Sequence, residues 1–271
     1  MLIEERALEH WIDHFYGYGS WDAKIWFVAL EEAGGDLPEE AAEKLNYFYG
    51  AHQTPVTQSM LCDMRELYKQ VLFRGDGPRA ELFTTLYDYR FGSSRAVLHG
   101  LWKNLIAFAH GYRHEPLPDL LTYQKESLAS PSTPREALIN LYPLPAHNHA
   151  WYYSWLDLPP RFGFLKTRAL YRDHLQARRA AHILSRMQEH KPEVVLMYGM
   201  EDINTLKKQV QDFFPGAQFK MIKATKLQIP QHHLSNVDGT TMLITTQIPA
   251  LRHNRIETGF DWFELGKMVR G

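Results

Sequence analysis

The stretch Lys24-Ile25-Trp26-Phe27-Val28-Ala29-Leu30, broken off by Glu31-Glu32-Ala33-Gly34-Gly35, decides the fold of this chain. After its lysine the run is apolar without alternation, as in a strand buried on both faces. Two acids and two glycines then mark the point where the strand leaves the core and a loop begins. The same kind of run recurs at Val194-Val195-Leu196-Met197-Tyr198-Gly199, and shorter forms at Ala137 to Leu141, Phe219 to Ile222 and Met242 to Thr246. Helical spacing separates them. Leu8, Trp11, Ile12 and Phe15 predict a helix over 2–17, residues 38–135 read as a long, mostly helical stretch, and helices follow over 166–190 and near 260–269. Apolar strands separated by helices predict an α/β fold: a mostly parallel sheet of about four to five strands, covered on both faces. With no repeat and no linker, residues 1–271 read as one domain.

Composition narrows the function classes. A chain of 271 residues with 45% apolar content can build a substantial core. A net charge of −1 excludes nucleic-acid binding through bulk charge and leaves room for a local basic face. Cys62 is the single cysteine, so an intrachain disulfide and a four-cysteine metal or iron–sulfur centre are both excluded. A reducing cytoplasm is the expected compartment. The acidic start Met1 to His10 and the lack of a long apolar run predict a soluble protein without membrane contact, expected as a monomer. The pairs His147/His149 and His232/His233 have no obvious third ligand, so neither metal nor cofactor is expected.

In sheets of this class, ligands bind beyond the carboxyl ends of the strands. Three of the strand ends carry polar residues: Glu31 and Glu32, Asn140, and Gln247. Phe27 to Glu32, Leu138-Ile139-Asn140 and Gln247-Ile248-Pro249-Ala250-Leu251 stand in the order, and at the strand ends, that characterise the uracil-DNA glycosylase superfamily, which this chain resembles from about residue 24 onward. The resemblance implies a three-layer α/β/α fold with 38–135 as a large helical insert. It implies a DNA glycosylase that hydrolyses a base–sugar bond and leaves an abasic site, with DNA as partner. Glu31, or Glu32 after it, would handle the attacking water. Asn140, with Tyr142 beside it, would read the base edge, and Leu251 would wedge into the base stack. The family usually has His at the position of Gln247, and the insert is unusually long.

The residues themselves leave alternatives open. A carboxylate can orient water and stabilise oxocarbenium-like charge; the two acids can equally be solvated groups ahead of a helix N-terminus. The amide of Asn140 can pair with a pyrimidine, or cap a turn before Pro143. Gln247 can donate a hydrogen bond to a departing base but carries no positive charge, which calls for a substrate with a better leaving group or for a compensating donor such as His253. Leu251, Arg252, His253 and Arg255 suit insertion into DNA with phosphate contacts, or a leucine packed on its own loop. Along the helix at 166–190, Arg168, Arg172, Arg179 and Arg186 share one side, opposite Ala169, Ala177, Ala180, Ile183, Leu184 and Met187. That side reads as a solvated face before a DNA track. Tyr87, Tyr89 and Arg90 of the insert are candidates to reshape the base pocket for a hypermodified pyrimidine, as in antiviral glycosylases acting on modified phage DNA. A non-catalytic nucleic-acid sensor on the same fold is the alternative.

Overall fold

The computed structural model describes residues 3–32, 37–52, 60–75, 80–145, 151–223, 229–250 and 260–271. The first half comprises α1 (Glu5–His14), β1 (Phe15–Tyr18), β2 (Ile25–Glu31), α2 (Pro38–Ala51), β3 (Met60–Cys62), α3 (Met64–Tyr68), α4 (Gly100–Tyr112) and α5 (Leu120–Glu126). The second comprises β4 (Glu136–Tyr142), α6 (Arg168–His190), β5 (Val194–Tyr198), α7 (Ile203–Phe213), β6 (Lys220–Ile222), β7 (His232–Val237), β8 (Thr240–Ile244) and α8 (Trp262–Arg270). Among the described residues no helix is long and apolar enough to cross a membrane.

One eight-stranded sheet, ordered β3-β1-β4-β2-β5-β8-β7-β6, runs through the molecule. The sheet is mixed, which corrects the expectation of a mostly parallel sheet of four to five strands. The four central strands, β4-β2-β5-β8, are mutually parallel and hold four of the five expected runs; the fifth, Phe219 to Ile222, supplies the edge strand β6. The outer strands add the antiparallel pairs β1–β4, β7–β8 and β6–β7, and β3 pairs parallel with β1. Outer strands need not be apolar on both faces, so β7 (His232-His233-Leu234-Ser235-Asn236-Val237) carries no continuous apolar run. The helix expected over 2–17 ends at His14, and Phe15–Tyr18 joins the sheet instead.

Alternation along β2 assigns the two helical layers. Trp26 lies toward α6, with its ring centroid 6.5 Å from that of His190, while Phe27 meets Phe108 of α4 at 5.8 Å. On the α6 side, Ile183 and Leu184 enclose a small apolar gap with Val195, Met197 and Val210. On the other side, α4 packs closely on α8. A Cβ on Gly111 would collide with the Phe263 carbonyl, and one on Gly266 with the Phe108 carbonyl. Hydrogen at these two positions therefore sets the spacing of the helix pair and the height of α4 over the sheet.

The arginine side of α6 is not a solvated face. Ala169 and Ala177, expected to face the sheet, are exposed, whereas Arg179 is fully buried. Its guanidinium donates to the carbonyls of Leu141 (2.9 Å), Phe15 (2.8 Å) and Asn140 (2.8 Å) and lies 3.6 Å from the Tyr16 ring centroid. A buried cation needs its donors filled. Arg179 fills them with strand-end carbonyls and an aromatic face, tying α6 to β1 and β4. Arg172 and Arg168, about two and three turns nearer the helix start than Arg179, turn toward the carboxyl ends of the strands.

Candidate active site

A cavity of about 280 Å³ opens at the carboxyl ends of β2, β4 and β5. The register Ala29↔Asn140 and Ala29↔Tyr198 sets these three residues in one row across the central strands. Glu31, Glu32 and Asn140, predicted from the sequence, all line this cavity. The segment before β4 closes the opposite wall with Met64 and Tyr68 of α3 and His99, Leu101 and Trp102 around the start of α4. The volume lies near the lower end of the ~300–1,000 Å³ range of small-ligand pockets.

The two acids have different fates, and neither is solvated. Glu31 accepts hydrogen bonds from Arg172 Nε (2.7 Å) and from the guanidinium of Arg168. Burial alone would raise its carboxyl pKa; Arg172 and Arg168 outweigh that and hold it below the usual carboxylate range. So held, Glu31 is a weak base. It also supplies the negative charge that the first turn of α6, which has no acid of its own, lacks.

Glu32 is only 4% exposed. Its Oε1 accepts from the Tyr18 hydroxyl (2.5 Å) and from Nζ of the buried Lys44 on α2 (2.8 Å). Its Oε2 is buried and has no hydrogen-bond partner among the described residues. Burial works against the charge of Lys44, but the adjacent Glu32 carboxylate prevails and the ammonium titrates above its ordinary value. The same burial, with Glu32 beside it, pushes the Tyr18 hydroxyl up, so it stays a donor at neutral pH. Glu32 therefore lines the cavity with one oxygen fixed and the other buried and unpaired among the described residues.

Asn140 is 6% exposed; its backbone carbonyl is held by Arg179, and its side-chain amide makes no hydrogen bond among the described residues. Donor and acceptor are thus both available to a ligand. Tyr142 is buried beneath the Arg172 guanidinium (5.8 Å to the ring centroid) and faces a neighbouring groove rather than the cavity.

Other expected site residues are placed elsewhere. The backbone of Gln247 is tied to Gly199 (3.0 Å) and to Thr245 Oγ1 (3.1 Å), and Ile248 lines the cavity in its stead. Tyr89 packs against Phe73 and Phe83. Arg90 lies over the Tyr89 ring (4.2 Å) and donates to the Val97 carbonyl (3.1 Å), behind the cavity wall. Leu251, Arg252, His253 and Arg255 lie outside the described residues, as do His147 and His149. The loop leading to Leu251 is anchored by the fully buried Asn104 of α4, whose amide donates to the carbonyls of Pro249 (3.1 Å) and Ala250 (2.9 Å).

The sequence reading missed Lys44, Tyr18 and His99. Lys44 lies on α2 within the long helical stretch 38–135, where a single lysine carries no local signal of burial. His99, directly before Gly100-Leu101-Trp102, occupies the N-cap position of α4, a signal visible in retrospect. Its Nδ1 accepts from Leu101 N (3.2 Å) and Trp102 N (3.5 Å), and its ring stacks on Trp102 at 4.5 Å. The buried Gln124 accepts the His99 backbone N–H (2.8 Å). Burial, with the Arg90 charge behind it, pushes the imidazole pKa down to about 3.

His182, pushed down to about 4 by burial and Arg186, behaves likewise. These imidazoles stay neutral in the folded chain, whereas the unfolded chain protonates its histidines near 6.5. The unfolded state therefore binds more protons below that pH, and stability is expected to fall as pH drops from about 6.5 toward 4. Urea midpoints measured at pH 7.5, 5.5 and 4.5 check this; a flat series contradicts it.

Comparison with protein-family models, with curated proteins and with solved structures finds no match.

Proposed function

We propose that the protein is a DNA glycosylase, with an architecture akin to the uracil-DNA glycosylases, that hydrolyses the N-glycosidic bond of a pyrimidine nucleotide extruded into the cavity. The observation that carries this reading is the buried Glu32 carboxylate, one oxygen of which has no hydrogen-bond partner among the described residues, lining one cavity with the uncommitted amide of Asn140. Glycosidic cleavage requires a water held against the anomeric carbon and an orienting contact on the base edge. Glu32 Oε2 accepts from the water while Tyr18 and Lys44 fix the other oxygen, and Asn140 reads the base. As the bond breaks, its electron pair goes to the base nitrogen. The water oxygen bonds to the anomeric carbon, one water proton passes to Glu32, and the base nitrogen is protonated from solvent. Glu31 is better suited to holding Arg168 and Arg172 at the cavity rim than to activating water. A bulky substituent on the base would extend through the open side, which admits the modified pyrimidines of phage DNA and a role in defence.

The test is incubation with uracil-containing, mismatched and phage-modified DNA, followed by alkaline cleavage and chromatography of released base. Abasic sites on one class of substrate, with the matching free base, are the expected result. If every DNA is bound and none is cut, the chain is a nucleic-acid sensor and the hydrolytic reading is wrong.

A further inference from the structure

We infer that His99 is the hydrogen-bond donor that stabilises the departing base, a role supplied by the insert rather than by the loop after β8. The inference rests on the proposed hydrolysis and names a residue it leaves unassigned. Gln247, at the strand end where that donor was expected, does not line the cavity, and an apolar side chain, Ile248, takes the wall there. His99 lines the same cavity from the opposite side.

Its chemistry follows from its partners. Because Nδ1 accepts two backbone N–H groups at the start of α4, that nitrogen carries no proton. The neutral ring then holds its proton on Nε2. The rotamer is held on three sides: by the cap, by the stack on Trp102, and by Gln124, which grips the His99 backbone and donates to the carbonyls of Arg90 (2.7 Å) and Val97 (3.2 Å). Arg90 approaches the Trp102 ring to 6.0 Å and adds a positive charge behind the imidazole. A fixed neutral donor in a desolvated wall meets negative charge developing on a base carbonyl without reorganisation. No proton is transferred; the N–H···O bond strengthens as the glycosidic electrons move into the ring.

His99→Asn tests this with the cap preserved, since asparagine is a strong N-cap while its amide is too short to replace Nε2. Base release is expected to fall about 10²–10³-fold, the usual cost of one lost oxyanion donor, with the thermal midpoint little changed. Across deoxynucleotides of 5-substituted uracils, the loss should grow as the base becomes a poorer leaving group. An unchanged rate, or an equal loss across the series, overturns the inference and leaves the glycosylase reading standing. Should no DNA be cut, imidazole nitrogen resonances are followed while free uracil is added. A shifted His99 Nε2–H signal keeps the contact although hydrolysis fails, and an unshifted one overturns it.

Discussion

Replacing Glu32 with glutamine is expected to slow base release by about 10²–10⁴-fold, the range typical of a positioned acid–base group. The substitution is nearly isosteric and leaves a carbonyl to accept from either Tyr18 or Lys44. It removes the negative charge and an acceptor oxygen that would hold the attacking water. Lys44 is 1% exposed and then faces a neutral partner, so some stability is lost as well. Single-turnover rates should therefore be measured on protein whose folding is verified by near-ultraviolet circular dichroism. Glu31→Gln is the comparison: it loosens the Arg168 and Arg172 pairs without removing the water-holding carboxylate, and its effect on the rate should stay within about tenfold. A folded Glu32→Gln protein with the full rate removes Glu32 from the chemistry. A larger loss at Glu31 than at Glu32 would exchange their roles.

Arg179→Met is expected to destabilise the fold by about 3–5 kcal/mol, as when one partner of a buried polar network is deleted. Three strand-end carbonyls lose their donor at once, and methionine offers none in return. For a chain of this length that corresponds to a midpoint lowered by roughly 6–20 °C. The neighbouring Arg178 is the control. It is exposed and pairs with Asp13 at 2.8 Å, so Arg178→Met should cost no more than about 1 kcal/mol. Equal midpoints for the two variants would show that the Arg179 network contributes nothing measurable. Because Arg179 also holds the carbonyl of Asn140, a base-binding defect in Arg179→Met at temperatures where it remains folded is expected too.

The parts of the site legible in the sequence are those carried by the central strands. Glu31, Glu32 and Asn140 stand where apolar runs stop, and a parallel strand that stops must deliver its last residues to one edge of the sheet. The order of the two acids was not legible. Which one meets the arginines and which one meets Lys44 depends on α6 and α2, more than a hundred residues away in one case. The outer strands were partly legible. Asp238-Gly239, with φ of 51° and 88°, forms the turn between β7 and β8, and that dipeptide is a hairpin signal in any sequence. The strand before it went unread because its residues are polar. Arg179 was misplaced for a related reason: helical periodicity groups side chains by angle, and a buried arginine satisfied by backbone carbonyls has the same angle as a solvated one.

By itself, then, the sequence determined an α/β chain with a parallel centre and a polar edge, because burial on both faces leaves no other composition for those strands. The tertiary structure alone decided the antiparallel outer strands, the burial of Arg179, the different partners of Glu31 and Glu32, and the placing of His99 at the cavity wall. Each depends on a hydrogen-bond partner distant in sequence, and residue type and local spacing carry no record of which distant group will satisfy a buried charge or donor.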